Sequence, residues 1–295
     1  MDDQHAPQYD RAAEDLGNVV SLEHVNTRIP DQRLSTLFHV TGLGFTRDPY
    51  LMTSTDNMWI NIGRSQFHLP TGAPQAVRGR VGLVVPDLAA LARRLAKVKP
   101  LLDGTKFDFR EGNEFIDAVS PWGNKLRCHP PQARFGQVNL GVPYVTFDVP
   151  PGSADGIARF YREILETPAI VVDDHEGRRA RVTVGTAQYL AFRETDAPIP
   201  DYDGHHVQIY IADFSGPYQR LRARGLIMEE SDRHQYRFKD IVDLDSGKLL
   251  YTIEHEVRSM RHPLYARPLV NRNPDQTNTA YMPGRDAWTW STANT

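Results

Sequence analysis

One local order of elements recurs four times along this chain, and that recurrence limits the possible folds more than any single motif. The first copy begins with LEHVNTRIP, a run of period-two alternation that reads as a strand. DQRLSTLFHVTGLGF follows with Leu34, Leu37 and Phe38 at helical spacing and with Gly42 and Gly44 as stop signals. NMWINIG and SQFHL then read as paired strands around a Gly63-Arg64 turn. The second copy runs through GRVGLVVPD, the amphipathic helix LAALARRLAKV (88–98), and three strands broken at Pro121-Trp122-Gly123. The third has VPYVTFDVP, the helix SADGIARFYREILE with Ser153 as its expected N-cap, then RRARVTVG and AQYLAFRE. The fourth has HHVQIYIADF, GPYQRLRARGL, YRFKDIVDLD and KLLYTIEHE.

A unit of this size cannot bury both faces of its own strands, so units must pair. The expectation is an α+β protein of tandem βαβββ modules, forming two cupped mixed sheets with helices on their outer faces. Residues 1–20 read as a loosely packed arm, 21–130 as a first domain of modules one and two, and 142–256 as a second domain of modules three and four. Residues 131–141 read as the linker between them, and 257–295 as a C-terminal extension.

Composition removes several function classes. Among 295 residues, 34 basic side chains are scattered among 37 acidic ones, which gives no polyanion-binding run and argues against nucleic acid. No apolar run approaches a membrane span, and the polar N-terminus lacks a signal-peptide core. A single cysteine, Cys128, excludes an intrachain disulfide and suits a cytoplasmic setting. Cys128 and the adjacent His129 face apart on a strand, so they make no nucleophilic pair. No phosphate-cradling glycine loop and no GxSxG elbow occurs.

LEHVNTRIPD, FYREIL after VPYVTFDVP, HHVQIYIADF, and the turns SPWGNKL and DLDSGKL together resemble the vicinal oxygen chelate superfamily. That superfamily includes glyoxalase I, extradiol ring-cleaving dioxygenases, and fosfomycin- and bleomycin-resistance proteins. The resemblance covers about residues 20 to 255. It implies divalent-metal ligands, His or Glu, on the first and last strands of modules, with Lewis-acid binding of two neighbouring substrate oxygens. It implies a metal-dependent enzyme, a ring-cleaving dioxygenase or a lyase or isomerase, acting on a small aromatic or oxygen-rich substrate. A metal-free small-molecule-binding protein of the sequestration type is the alternative, and a non-catalytic structural dimer is a third.

The first-strand positions of the four modules hold His24, Arg80, Tyr144 and His206. The last-strand positions hold His68, Arg127 and, in module three, Leu190. In module four two registers stay open: Tyr251 with His255 on the same face, or Leu250 with Thr252 and Glu254. The metal candidates for Fe, Mn or Zn are therefore His24, His68, His206 and Glu254, with no metal at all equally open. His206, Tyr144 and Tyr251 are the catalytic candidates, and His206, Tyr144 and Glu254 would form the second-domain site. Arg80, Arg127, His129 and His255 are the substrate-binding candidates. His129 could instead complete a three-histidine site with His24 and His68. His24, His68, Arg80 and Arg127 could also line a metal-free anion pocket, or serve only as satisfied polar strand residues. His205 must point away from His206. The arginine-rich stretch after the last module is either a strap over a cup or a packing tail. Trp288 and Trp290 are expected to dock on something, a neighbouring subunit of a homodimer or higher homo-oligomer among the choices.

Overall fold

A computed structural model describes residues 9–51 and 56–271, so Trp288 and Trp290 lie outside the described residues. Module one comprises β1 (Val19–Asn26), α1 (Gln32–Thr36), β2 (Thr46–Arg47), β3 (Asn57–Ile62) and β4 (Ser65–Pro70). Module two comprises β5 (Gly79–Val84), α2 (Leu88–Val98), β6 (Asp108–Glu111), β7 (Ile116–Val119) and β8 (Lys125–His129). Module three comprises β9 (Gly141–Val149), α3 (Ala154–Ile164), β10 (Ala169–Asp174), β11 (Gly177–Thr183) and β12 (Tyr189–Glu194). Module four comprises β13 (His206–Ile211), α4 (Ser215–Ala223), β14 (Ile227–Asp232), β15 (Gln235–Val242) and β16 (Leu249–Ser259).

Capping and periodicity account for the helices. Asp31 accepts from Arg33 N at 2.7 Å and Leu34 N at 3.0 Å, and Asp87 accepts from Ala90 N at 2.9 Å, each meeting a first-turn N–H that the helix leaves unpaired. Ser153 precedes α3 but does not cap it; Glu194, on β12, accepts from Ala154 N at 2.9 Å instead. Helix α1 continues into a π-helical turn, Leu37–Gly42, and Gly44 then takes a positive φ. Helix α2 buries Leu91, Leu95 and Val98, each contributing about 1.5–3 kcal/mol by removal from water.

Two mixed eight-stranded sheets result. The first runs β14-β15-β16-β13-β1-β4-β3-β2 and the second β10-β11-β12-β9-β5-β8-β7-β6. Module one therefore pairs with module four, through antiparallel β1 and β13, and module two with module three, through β5 and β9. This corrects the expected pairing of one with two and three with four. Each module leaves the same kind of edge on its first strand, so any two can join. Residues 71–78 cross from the first sheet to the second. Gln75 Oε1 accepts from Arg28 N at 2.8 Å, and Asn124 Nδ2 donates to Gln75 O at 2.9 Å, tying the crossing to both sheets. The arm is also shorter than expected, because β1 starts at Val19, fully buried, and Asn18 N donates to Glu166 O. At the other end β16 continues to Ser259, past the expected boundary at 256.

Candidate functional site

Strand alternation gives the first sheet one strongly polar face. Asn26 lies opposite His68 on β4 and His206 on β13, while His24 lies opposite Gln66 and Gln208. His24, His68 and His206 thus converge, with one ligand nitrogen from each within 4.8 Å of the others. On β16, Glu254 lies opposite His206 and Glu256 opposite Gln208. Glu256 therefore bears the same relation to His206 that His68 bears to His24: one strand over and two residues along. Its Oε2 lies 3.5 Å from His206 Nε2, and Glu254 Oε1 lies 3.5 Å from His206 Nδ1.

The surroundings of this group are dry and charged. His24 is 1 % exposed, and burial pulls its imidazole well below the ordinary histidine range, so it stays neutral. Burial, reinforced by His24 and His206, also lowers His68. His68 stacks on Trp59 at 3.8 Å and is held by Asn26 Nδ2 at 2.7 Å from Nδ1 and by Asn57 Oδ1 at 2.8 Å from Nε2. Burial opposes ionisation of Glu256, but contact with His206 and the charges of Arg258 and Arg237 prevail and hold its carboxyl well below the usual range. A bulge between Leu22 and His24 turns Glu23 onto the same face. Arg258 joins Glu23 at 3.1 Å to Glu256 at 2.6 Å, and Arg237 reaches Glu254 at 2.5 Å and Glu256 at 2.6 Å.

Residues 260–271 cross this face. Tyr265 packs edge-on against Tyr210 at 4.9 Å, Arg267 meets the buried Asp48 at 2.7 Å, and Val270 O accepts from Asn61 Nδ2 at 2.8 Å. Asn271 closes the strap with hydrogen bonds to both N and O of Gly63, each 2.9 Å. The described part of the extension, residues 260–271, thus lies across this face, and its Arg267 pairs with Asp48.

Several expected groupings are not made. Tyr144, Arg80, Arg127 and His129 all belong to the second sheet, so they share no pocket with His24, His68 or His206. His129 cannot complete the histidine group; its Nε2 bonds Tyr144 Oη at 2.9 Å and its Nδ1 faces Arg134 at 3.1 Å. Tyr144 does not join His206 and Glu254, because the two sit on different sheets. Tyr251 and His255 point to the helix side of β16: Tyr251 contacts Phe147 and Phe192, and His255 bonds Tyr161 Oη at 2.6 Å and stacks on Phe238. The register that puts Glu254 on the site face is the one observed. Leu190 is fully buried, and Ala191 takes the corresponding point of module three, opposite Thr146. His205 does point away from His206, and bonds Asp203 at 2.6 Å. Cys128 is buried, and burial pushes its thiol up to about 12. Sequence reasoning missed Glu256, although two-residue alternation from Glu254 reaches it. Glu23 was not legible, because only the bulge brings it to this face.

No family model and no curated protein matches the chain. Solved structures do. Glyoxalase I from Zea mays superposes with a TM-score of 0.54 at 12% identity, covering 81% of this chain and 92% of the other. A variant of that enzyme reaches 0.56 at 13% identity with the same coverage. A Bacillus subtilis protein described as a "putative dioxygenase" reaches 0.52 at 14% identity, covering 83% and 86%. The chain has the vicinal oxygen chelate fold. Among the described residues no helix is long and apolar enough to cross a membrane.

Proposed function

We propose that the chain is a vicinal-oxygen-chelate enzyme whose first sheet binds one divalent metal, Fe, Mn or Zn, through His24, His68, His206 and Glu256. One observation carries this reading: three histidines converge within 4.8 Å, two of them kept neutral by burial, beside a carboxylate held ionised. The donor set fits. His24 Nε2 and His206 Nε2 are buried with no hydrogen-bond partner, which is costly unless something binds there. His68 would give up one of its two amide partners to the ion. When bound, the ion supplies Lewis acidity to two neighbouring oxygens of a small aromatic or oxygen-rich substrate. Glu254, beside His206 but outside the ligand set, is placed to take or return a proton. Asn26 and Asn57 orient His68, and the strap of residues 260–271 excludes water. Ring-cleaving dioxygenase and lyase or isomerase chemistry both fit such a site.

Both halves of the site come from one chain, so the expected homo-oligomer is not needed to complete it. A second reading, a metal-free protein that sequesters a small molecule, is supported by Arg237 and Arg258, which already neutralise Glu254 and Glu256. Metal analysis of protein purified without chelator decides between the two. The enzyme reading expects close to one Fe, Mn or Zn per chain, and a loss of at least about tenfold in occupancy for His206→Ala and Glu256→Gln. Absence of metal in the folded wild type, under reconstitution with all three ions, would refute it. A catechol panel watched for yellow ring-cleavage product then tests the dioxygenase branch.

A further inference from the structure

The second sheet presents the same four lattice points with different chemistry. Gly82 lies opposite Tyr144 and Arg127, as Asn26 lies opposite His206 and His68. Arg80 lies opposite Thr146, as His24 lies opposite Gln208. Arg80, Arg127, Tyr144 and Ala191 thus replace His24, His68, His206 and Glu256. None of the four is a good metal ligand, and two are permanent cations.

Hydrogen-bond directions on this face are fixed by Arg134. A guanidinium only donates, so His129 Nδ1 accepts, and the histidine proton sits on Nε2. His129 therefore donates to Tyr144 Oη, and the Tyr144 hydroxyl proton is left over, with no acceptor among the described residues. Burial, with Arg134 and Arg127 adding to it, lowers His129 to about 4, so this arrangement holds at neutral pH. Arg80 is only partly exposed and makes no hydrogen bond or ion pair among the described residues. Partial burial, and then the neighbouring Arg127 and Arg193, lower Arg80, but each neighbour is held by its own acid, Asp117 at 2.8 Å and Asp148 at 2.6 Å. The unspent groups, Arg80 and the Tyr144 O–H, are donors only. Beside them Tyr144 and Tyr189 stack at 5.2 Å, with the Arg181 guanidinium 4.4 Å over the Tyr189 ring.

We propose that this face binds a small aromatic carboxylate, its oxygens held by the Arg80 guanidinium and the Tyr144 hydroxyl and its ring set against the tyrosine pair. The site is independent of the metal site, since no residue is shared. It binds without chemistry of its own, because no free base or nucleophile faces the anion.

Calorimetric titration of the full chain with benzoate, and separately with inorganic phosphate, tests this. Benzoate is expected to bind saturably and more tightly than phosphate. Arg80→Met weakens benzoate binding by at least about tenfold, through loss of the charged two-point contact. Tyr144→Phe, which keeps the ring and the fold, weakens it by about threefold to tenfold through loss of one hydrogen bond. His206→Gln, on the other sheet, leaves it unchanged. No saturable benzoate binding, binding indifferent to both Arg80→Met and Tyr144→Phe, or binding lost in His206→Gln overturns the proposal. Phosphate bound more tightly than benzoate overturns the aromatic carboxylate assignment.

Discussion

The two sheets share strand order and register, yet one collects imidazoles around carboxylates and the other collects guanidinium and phenol groups. The difference lies in side chains at equivalent points, not in backbone. Where the first sheet has Asn26, which fixes His68 through a 2.7 Å hydrogen bond, the second has Gly82, over which the Tyr144 ring lies. Closure differs too. The strap seals the first face, and Arg258 there is 6 % exposed, while Arg80, Arg127 and Arg193 on the second face all remain partly open. One backbone thus supports a closed centre of imidazoles and carboxylates and a more open one of guanidinium and phenol groups.

That contrast predicts unequal costs for matched substitutions. Arg258→Met leaves Glu23 and Glu256 facing each other in a closed site, and should cost about 3–5 kcal/mol of folding stability. Arg193→Met frees only Asp148, on a pair whose arginine side chain is 40 % exposed, and should cost no more than about 1 kcal/mol. Urea unfolding of the two variants measures both. Equal costs would mean that the first sheet is no drier than the second.

Histidines give a pH test of the same contrast. Burial holds His39, under the first sheet, at about 4, opposed only by its bond to Ser35 O. His129, on the second sheet, is also drawn to about 4. Both folded values lie below the unfolded value, so the native state binds fewer protons between them. Stability that is full above about pH 6.5 is lost as pH falls toward 4 and levels off below it. The buried His39 should account for about 3 kcal/mol at most of that loss. His129 is as buried as His39, but part of its depression comes from the charges of Arg134 and Arg127 rather than from burial, so it should account for the smaller share. His39→Phe should flatten the stability curve between pH 7 and 4 more than His129→Phe does. The reverse order would invert the assignment of the dry side.

Much of this was legible in the sequence. Alternation and helical spacing located all four modules, and the equivalence of His24, Arg80, Tyr144 and His206 follows from each starting a module. Helix α2 spans Leu88–Val98, as its apolar face requires. Partner choice among modules was not legible, because Val25, Val81, Val145 and Val207 present the same kind of strand edge. The last strand misled for a related reason. Counting from Gly247 fixes a register only if the turn is regular, but shifts between β15 and β16 occur near Asp240 and Val242. The parallel pairing of β16 with β13, far away in sequence, sets which of Glu254 and His255 faces the site.

Substitutions at Asn26 and Gly82 test the lattice equivalence itself. A Cβ at Gly82 would meet the Tyr144 ring at 2.3 Å, so the ring must move. Gly82→Ala should cost about 1–3 kcal/mol by overpacking and should weaken benzoate binding, since the Tyr144 hydroxyl moves with its ring. Metal content should not change. Asn26→Gly has the opposite profile. It removes the amide that orients His68, so metal affinity should fall by about 10-fold or more while benzoate binding stays at the wild-type value. Metal titration and calorimetry on the same two proteins separate the cases. If either substitution moved both quantities together, the two faces would be coupled through β1 and β5 rather than acting as independent sites on one repeated backbone.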